Sequence, residues 1–145
     1  MDIRPFRGWR FSGSDISAQI APPYDVLDQD DKDELLARSE KNIVAVDLPH
    51  VPPKDLGPDE EYASAATLLE KWKRSGVLVQ EAKPALYAYE QSYTWAGKSH
   101  RRRALLTGVR ATPLGTDIIP HEHTFAGPKA DRLKLTTVTK TQLSP

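Results

Sequence analysis

Cysteine is missing from all 145 residues. That absence excludes disulfides, thiolate catalysis and cysteine-ligated zinc or iron–sulfur centres, and it fits a cytoplasmic protein. Long apolar runs are missing as well. No stretch approaches the roughly 20 residues needed to span a bilayer, and the first residues lack the apolar segment of a secretory signal, so no membrane partner is expected. Neither sign of charge is in excess, with 20 Lys+Arg against 20 Asp+Glu. A neutral total argues against a dedicated DNA-binding protein, which normally neutralises phosphates with a basic domain.

What is present is the composition of an ordinary globular chain, 39% hydrophobic and 28% charged, at a length that supports one domain with a proper core. The neutral total hides an asymmetry. Residues 1–61 hold 14 acidic and 7 basic side chains, whereas residues 62–145 hold 6 acidic and 13 basic. Either the two halves present attracting faces, or a positive face meets an anion. The chain stops at Gln142-Leu143-Ser144-Pro145, directly after a helix-like stretch and without a polar tail. From this we expect residues 1–145 to be a single α+β domain at the N-terminal end of a longer protein.

The elements follow from local patterning. Ile3 to Phe11 sets apolar residues against arginines, with Pro5 and Gly8 opposing a helix, and reads as a short strand or extended arm. Ala21-Pro22-Pro23-Tyr24-Asp25-Val26 is a rigid extended loop. Asp28 reads as the N-cap of a helix reaching about Ser39, with acids crowding its first turn. Ile43 to Leu48 is β-branched and short, and a strand is expected there. The segment from His50 to Pro58, with Pro52, Pro53 and Gly57, reads as a surface loop. Residues 59–75 show helical spacing of Tyr62, Ala66, Leu69 and Trp72, with Gly76 placed to end the helix. Val77-Leu78-Val79 suits a brief strand. Ala85 to Trp95 and Arg101 to Thr112 pair as a β-hairpin around Ala96-Gly97-Lys98. Ile118-Ile119 suits a last short strand, and Gly127-Pro128 opens a final helix to about residue 140. The sum is an α+β fold, with a mixed, largely antiparallel sheet, one hairpin and three main helices.

Reactive side chains concentrate at His121-Glu122-His123-Thr124. Histidine and glutamate supply a base or metal ligand near neutral pH, so Glu122, His121 and His123 are the candidate catalytic residues. The His-x-His spacing also admits two metal ligands, although it lacks the Glu-x-x-His helix geometry of zinc peptidases. Directly after it, the Gly127-Pro128 helix start offers free backbone amides and a positive dipole end. Lys129, Arg132 and Thr124 then become candidates for phosphate or anion binding. Asp131 is a candidate oxygen ligand for a metal, and equally a structural partner for Arg132. Tyr24 and Asp25, on the rigid Pro22-Pro23 loop, are placed to wall a pocket. The basic run His100-Arg101-Arg102-Arg103 lies on a predicted strand, alternates faces, and reads as a solvated edge guarding against aggregation. A nucleic-acid patch there is disfavoured, because no aromatic platform is evidently interleaved with it.

Five local sequences, in order, carry a family resemblance. They are Arg4-Pro5-Phe6-Arg7-Gly8, Ala21-Pro22-Pro23-Tyr24-Asp25-Val26, Leu86-Tyr87-Ala88-Tyr89-Glu90-Gln91, His121-Glu122-His123-Thr124 and Lys129-Ala130-Asp131-Arg132. With them the chain resembles the domain-of-unknown-function family 1015 along essentially its whole length. The resemblance implies a longer parent protein, cut here at the family's Ser-Pro, Ser144-Pro145. More loosely, it implies kinship with the ParB/sulfiredoxin-like superfamily, which includes nucleotide-binding partition proteins and kinases of free serine. Together these readings lead to a nucleotide-linked small-molecule phosphotransferase, using ATP or ADP with Mg2+ and acting on a free amino acid such as serine. A non-catalytic nucleotide- or metabolite-binding regulatory module and a metal-dependent hydrolase built on His121 and His123 are the alternatives.

Overall fold

The computed structural model describes residues 2–53, 55–120 and 125–143. His121, Glu122, His123 and Thr124 lie outside the described residues, so the centre of the sequence reading is not placed. The chain divides into two compact units, one of residues 1–9 with 80–122 and one of residues 10–79 with 123–145.

The second unit is helical. Asp28 starts α1 (Gln29–Arg38) with a reciprocal capping box, its carboxylate accepting from the Asp31 amide while Asp31 accepts from the Asp28 amide. Two of the four orphan amides of the helix start are satisfied this way. The long helix α3 (Asp59–Arg74) buries Tyr62, Ala65, Leu69 and Trp72 along one stripe, and its acids lead while its bases trail, as the macrodipole favours. Gly76 follows in the left-handed region at φ +74°, where only glycine enters without strain. Helix α4 (Ala126–Thr139) packs beside α3, and Leu135 joins Val46, Tyr62, Leu69 and Trp72 in the main core. A second cluster of Leu27, Leu35, Val44 and Leu48 fills the space by α1.

Between them lies a correction. Ile43 to Leu48, expected as a strand, contains the short helix α2 (Val44–Asp47). Fully buried Asn42 decides it. Its Oδ1 accepts the Val44 amide at 3.0 Å, and its Nδ2 donates to the carbonyls of Ala18 and Ile20 at 2.9 and 2.8 Å. A helical turn then sends Val46 to one core and Val44 and Leu48 to the other. Packing on both sides outweighs the β-preference of valine and isoleucine.

The first unit holds four of the strands. β1 (Ile3–Arg4) pairs antiparallel with β6 (Gly108–Val109), and β4 (Tyr87–Trp95) pairs antiparallel with β5 (Lys98–Leu106). Ala96 and Gly97 alone make the hairpin turn, both at positive φ (49° and 72°), as a two-residue turn between right-twisted strands requires. The return strand therefore begins three residues earlier than Arg101. At the root of the ribbon, the Tyr87 hydroxyl accepts the Gly8 amide at 2.7 Å and donates to the Phe6 carbonyl at 3.2 Å, and the Phe6 and Tyr87 rings lie 4.9 Å apart. Near Ile118 there is a single bridge to Leu114 in place of the expected strand. β2 (Trp9–Phe11) and β3 (Leu78–Gln80) form a further pair. The class is α+β, with the strands spread over separate two-stranded sheets. None of the described helices is long and apolar enough to cross a membrane.

Candidate functional site

The apolar stripe of α3 drives Tyr62 into the core, and a buried hydroxyl must find partners there. It finds three. Tyr62 Oη donates to Asp131 Oδ1 at 2.5 Å, accepts the Gly57 amide at 3.0 Å, and lies 3.0 Å from His50 Nε2. The same His50 nitrogen sits 2.9 Å from Asp131 Oδ1, so an Nε2–H tautomer donates to the carboxylate. Asp131 comes from α4, His50 from the Pro-rich loop, and both are buried. Gly57 is required by this fit, since a Cβ there would stand 2.4 Å from the His50 ring.

The second oxygen of Asp131 belongs to Arg132. Nε donates to Oδ2 at 2.8 Å and Nη2 lies 2.6 Å from the same oxygen. Arg132 Nη1 reaches Asp47 at the C-terminal end of α2, donating to its carbonyl at 2.7 Å and to its carboxylate at 3.1 Å. The guanidinium plane then lies 3.9 Å from the centre of the Tyr24 ring, a cation–π contact. Lys134, about one turn along α4 from Asp131, stands over the Tyr62 ring at 4.5 Å and pairs with Asp59. Lys32 donates to the Pro49 carbonyl at 3.0 Å, next to His50.

Ionisation follows from these contacts. Burial pushes the Asp131 carboxyl up, but hydrogen bonds from Tyr62, His50 and Arg132, together with the charge of Arg132, outweigh it and leave the group below its ordinary value. Asp131 is thus a carboxylate throughout the neutral range. Burial, and then the hydrogen bond to Asp131, raise the Tyr62 phenol to about 12. Burial likewise raises Tyr24, against the pull of Arg132. Burial lowers Lys32.

A cavity of about 270 Å³ opens beside this network, lined by Tyr24, Asp47, Arg132, Leu135, Thr136 and, from the segment after α4, Gln142 and Leu143. Arg132 and Asp47 are the charged groups on its wall, with 20% and 15% of their side chains exposed. Because Arg132 is gripped by two aspartates and a tyrosine ring, its orientation is set before any ligand arrives.

Of the residues singled out in the sequence, Tyr24, Asp131 and Arg132 come together here. Asp25 shares the helical turn Tyr24–Val26 but is exposed, and Lys129 is exposed on α4. Helix α4 begins at Ala126, one residue before the expected Gly127, so Pro128 stands third. The Lys129 amide already bonds the Phe125 carbonyl, at 3.3 Å. Among the described residues, that leaves the amides of Ala126 and Gly127 without an intrahelical acceptor. Both oxygens of Asp131 carry protein donors, and among the described residues no three His, Asp or Glu side chains are grouped to hold a metal ion. His121, Glu122, His123 and Thr124 fall outside the described residues. The residues that escaped sequence reading are His50, Tyr62 and Asp47. The spacing of α3 did announce Tyr62 as a core residue, and its hydroxyl was the signal that a buried acceptor had to exist.

No curated protein and no solved structure matches the chain. A family model described as protein of unknown function (DUF1015) matches residues 3–145, a span that takes in the Tyr24 loop, the His50 loop and both site helices, and the chain belongs to that family.

Proposed function

We propose that the helical unit binds the acceptor of a nucleotide-linked phosphotransferase, and that this acceptor is a free amino acid of about the size of serine. The observation that carries the reading is the Arg132–Asp47 pair, 3.1 Å apart on the wall of a cavity of about 270 Å³. Pockets for drug-sized ligands run from about 300 to 1,000 Å³, so this one suits a small metabolite and not a whole nucleotide. A guanidinium beside a carboxylate matches a zwitterion, the α-carboxylate facing Arg132 and the α-ammonium facing Asp47. Thr136, on the same wall, adds a hydroxyl for the acceptor side chain.

The nucleotide supplies the phosphoryl group. Transfer joins the acceptor hydroxyl oxygen to the γ-phosphorus, breaks the bond to the β-phosphate oxygen, and passes the hydroxyl proton to a base, for which Glu122 or His121 is suited by chemistry. Lys129, Thr124 and the Ala126–Gly127 amides are the groups suited to phosphate oxygens. Asp131 is not available to Mg2+ without displacing Tyr62, His50 or Arg132, so its role here is to hold Arg132. The ParB/sulfiredoxin-like kinship has no match to support it, and the reading rests on the pocket alone.

Calorimetry on the chain with an L-amino-acid panel, ATP and ADP tests the binding, and transfer of radiolabel from γ-labelled ATP tests the chemistry. Arg132→Gln and Asp47→Asn should each weaken amino-acid binding. A net loss of about 1.5–3 kcal/mol per charged hydrogen bond corresponds to roughly 10- to 150-fold. No amino-acid binding by the unmodified protein removes the proposal. Binding without transfer leaves the regulatory module, and Glu122→Gln separates the two, since it abolishes transfer by an enzyme but spares the affinity of a binder.

A further inference from the structure

The hairpin register creates a surface that neither strand announces by itself. Trp95 faces Lys98, Tyr93 faces His100, and Gln91 faces Arg102 across β4 and β5. Directly paired residues share a face of the ribbon, and residues two apart on a strand share it too. Tyr89, Tyr93 and Trp95 therefore line one face together with Lys98, His100 and Arg102. The face is open: Tyr89, Tyr93 and Trp95 are 49%, 47% and 70% exposed. His100 is stacked on Tyr93 at 5.3 Å and edge-on to Trp95 at 6.4 Å, so these rings form a continuous aromatic track. The other face differs in kind. There Glu90 pairs with Arg103 at 2.8 Å and Arg101 at 3.5 Å, beside small residues such as Ala88 and Ser92. The ribbon's acid is spent on that side, and the aromatic side keeps its cations without a carboxylate on the same face.

We infer that the aromatic face of the β4–β5 ribbon binds single-stranded nucleic acid. Tyr93 and Trp95, set roughly 7 Å apart along the strand, and Tyr89, about 14 Å before Tyr93, offer stacking planes for unpaired bases, while the neighbouring cations meet the phosphates. Stacking on aromatic side chains along a positive track is how sequence-tolerant single-strand binders work. An acidic peptide would use the cations but leave the rings without a partner, and a duplex hides its base faces. The neutral total charge of the chain does not oppose the inference, because the charge is segregated. Residues 87–106 carry Lys98, Arg101, Arg102 and Arg103 against Glu90 alone.

The test is fluorescence anisotropy on the whole chain with labelled twelve-nucleotide oligouridylate and oligothymidylate, a duplex of equal length, and polyglutamate, each across a salt series. Single strands should bind, and the duplex and polyglutamate should bind far more weakly. Trp95→Ala should weaken binding by roughly 5- to 150-fold, the range for one lost stack, whereas Trp95→Phe keeps most of it. Arg102→Gln should reduce the slope of log affinity against log salt by about 0.7, the value for one phosphate contact on a single strand. Circular dichroism of each variant confirms the fold, and the exposed position of Trp95 makes a folded product the expected one. The inference is overturned by no binding at low salt, by equal binding of polyglutamate or duplex, or by a folded Trp95→Ala chain with unchanged affinity.

Discussion

Replacing Asp131 with asparagine keeps the shape of the side chain and removes its charge. The position is completely buried, and the carboxylate receives Tyr62, His50 and Arg132. An amide cannot serve them all. If its oxygen faces Tyr62 and His50, its NH2 group meets the Arg132 donors head-on, and the reverse placement sets it against Tyr62. Removing one partner of a buried ion pair costs about 3–5 kcal/mol. At a urea dependence of about 2 kcal/mol per molar, typical of a small protein, a loss of ~4 kcal/mol lowers the unfolding midpoint by roughly 2 M. The assay is equilibrium unfolding in urea, followed by tryptophan fluorescence because Trp72 sits in the same core. Repeating it against pH adds a signature. Asp131 has its folded value depressed below the ordinary 3.8, so its stabilisation is fully present above that pH and is lost as pH falls through the depressed value. The gap between the native chain and Asp131→Asn should hold steady from neutrality to about pH 4 and close below it. A midpoint change under ~0.5 M would refute a stabilising role for the network. A gap that closed around neutral pH would refute the assignment of the coupling to the Asp131 carboxylate.

Tyr62→Phe removes a donor and an acceptor from the core and should cost about 1–3 kcal/mol. Because the phenol is held up at about 12, its stabilisation is complete below pH 10 and lost as pH rises toward 12, so the phenylalanine variant should lack that alkaline decline when thermal midpoints are compared between pH 9 and 12. Gly57→Ala forces a Cβ against the His50 ring and should destabilise by about 1–3 kcal/mol. Measured by differential scanning calorimetry, that loss should shrink in a His50→Ala background, and an undiminished loss would place the clash elsewhere. Asp28→Ala dismantles the capping box of α1, with an expected loss of about 0.5–2 kcal/mol in the same calorimetric measurement.

The readable parts of the fold were those governed by neighbours in sequence. Asp28 and its following acids set the start of α1, the stripe from Tyr62 to Trp72 set the buried side of α3, and Ala96-Gly97 set the turn of the ribbon. What resisted reading was governed by distant partners. Ile43 to Leu48 has the composition of a strand, and only the reach of Asn42 to Ala18 and Ile20 turns it into a helix between two cores. His50 lies in a loop whose prolines advertise the surface, yet it is buried because Asp131, 81 residues away, awaits it. The site was half legible for the same reason. Tyr24, Asp131 and Arg132 stood out as chemical types, while the residues that fix them, Asp47, His50 and Tyr62, looked like parts of ordinary elements. The arginine run on β5 was legible as a strand, but its aromatic complement is supplied by β4, and only the register joins them.

Asn42 lends itself to one more conclusion. It does not line the cavity, yet it is the knot that ties the segment leading to Tyr24 onto the helix that ends at Asp47. Two walls of the cavity are thus set by a residue that does not line it. Natural or designed variation at this position would therefore retune the spacing between ring and carboxylate without altering a single lining group. Under the proposed amino-acid reading, selectivity would then drift through Asn42 while every lining residue stayed the same.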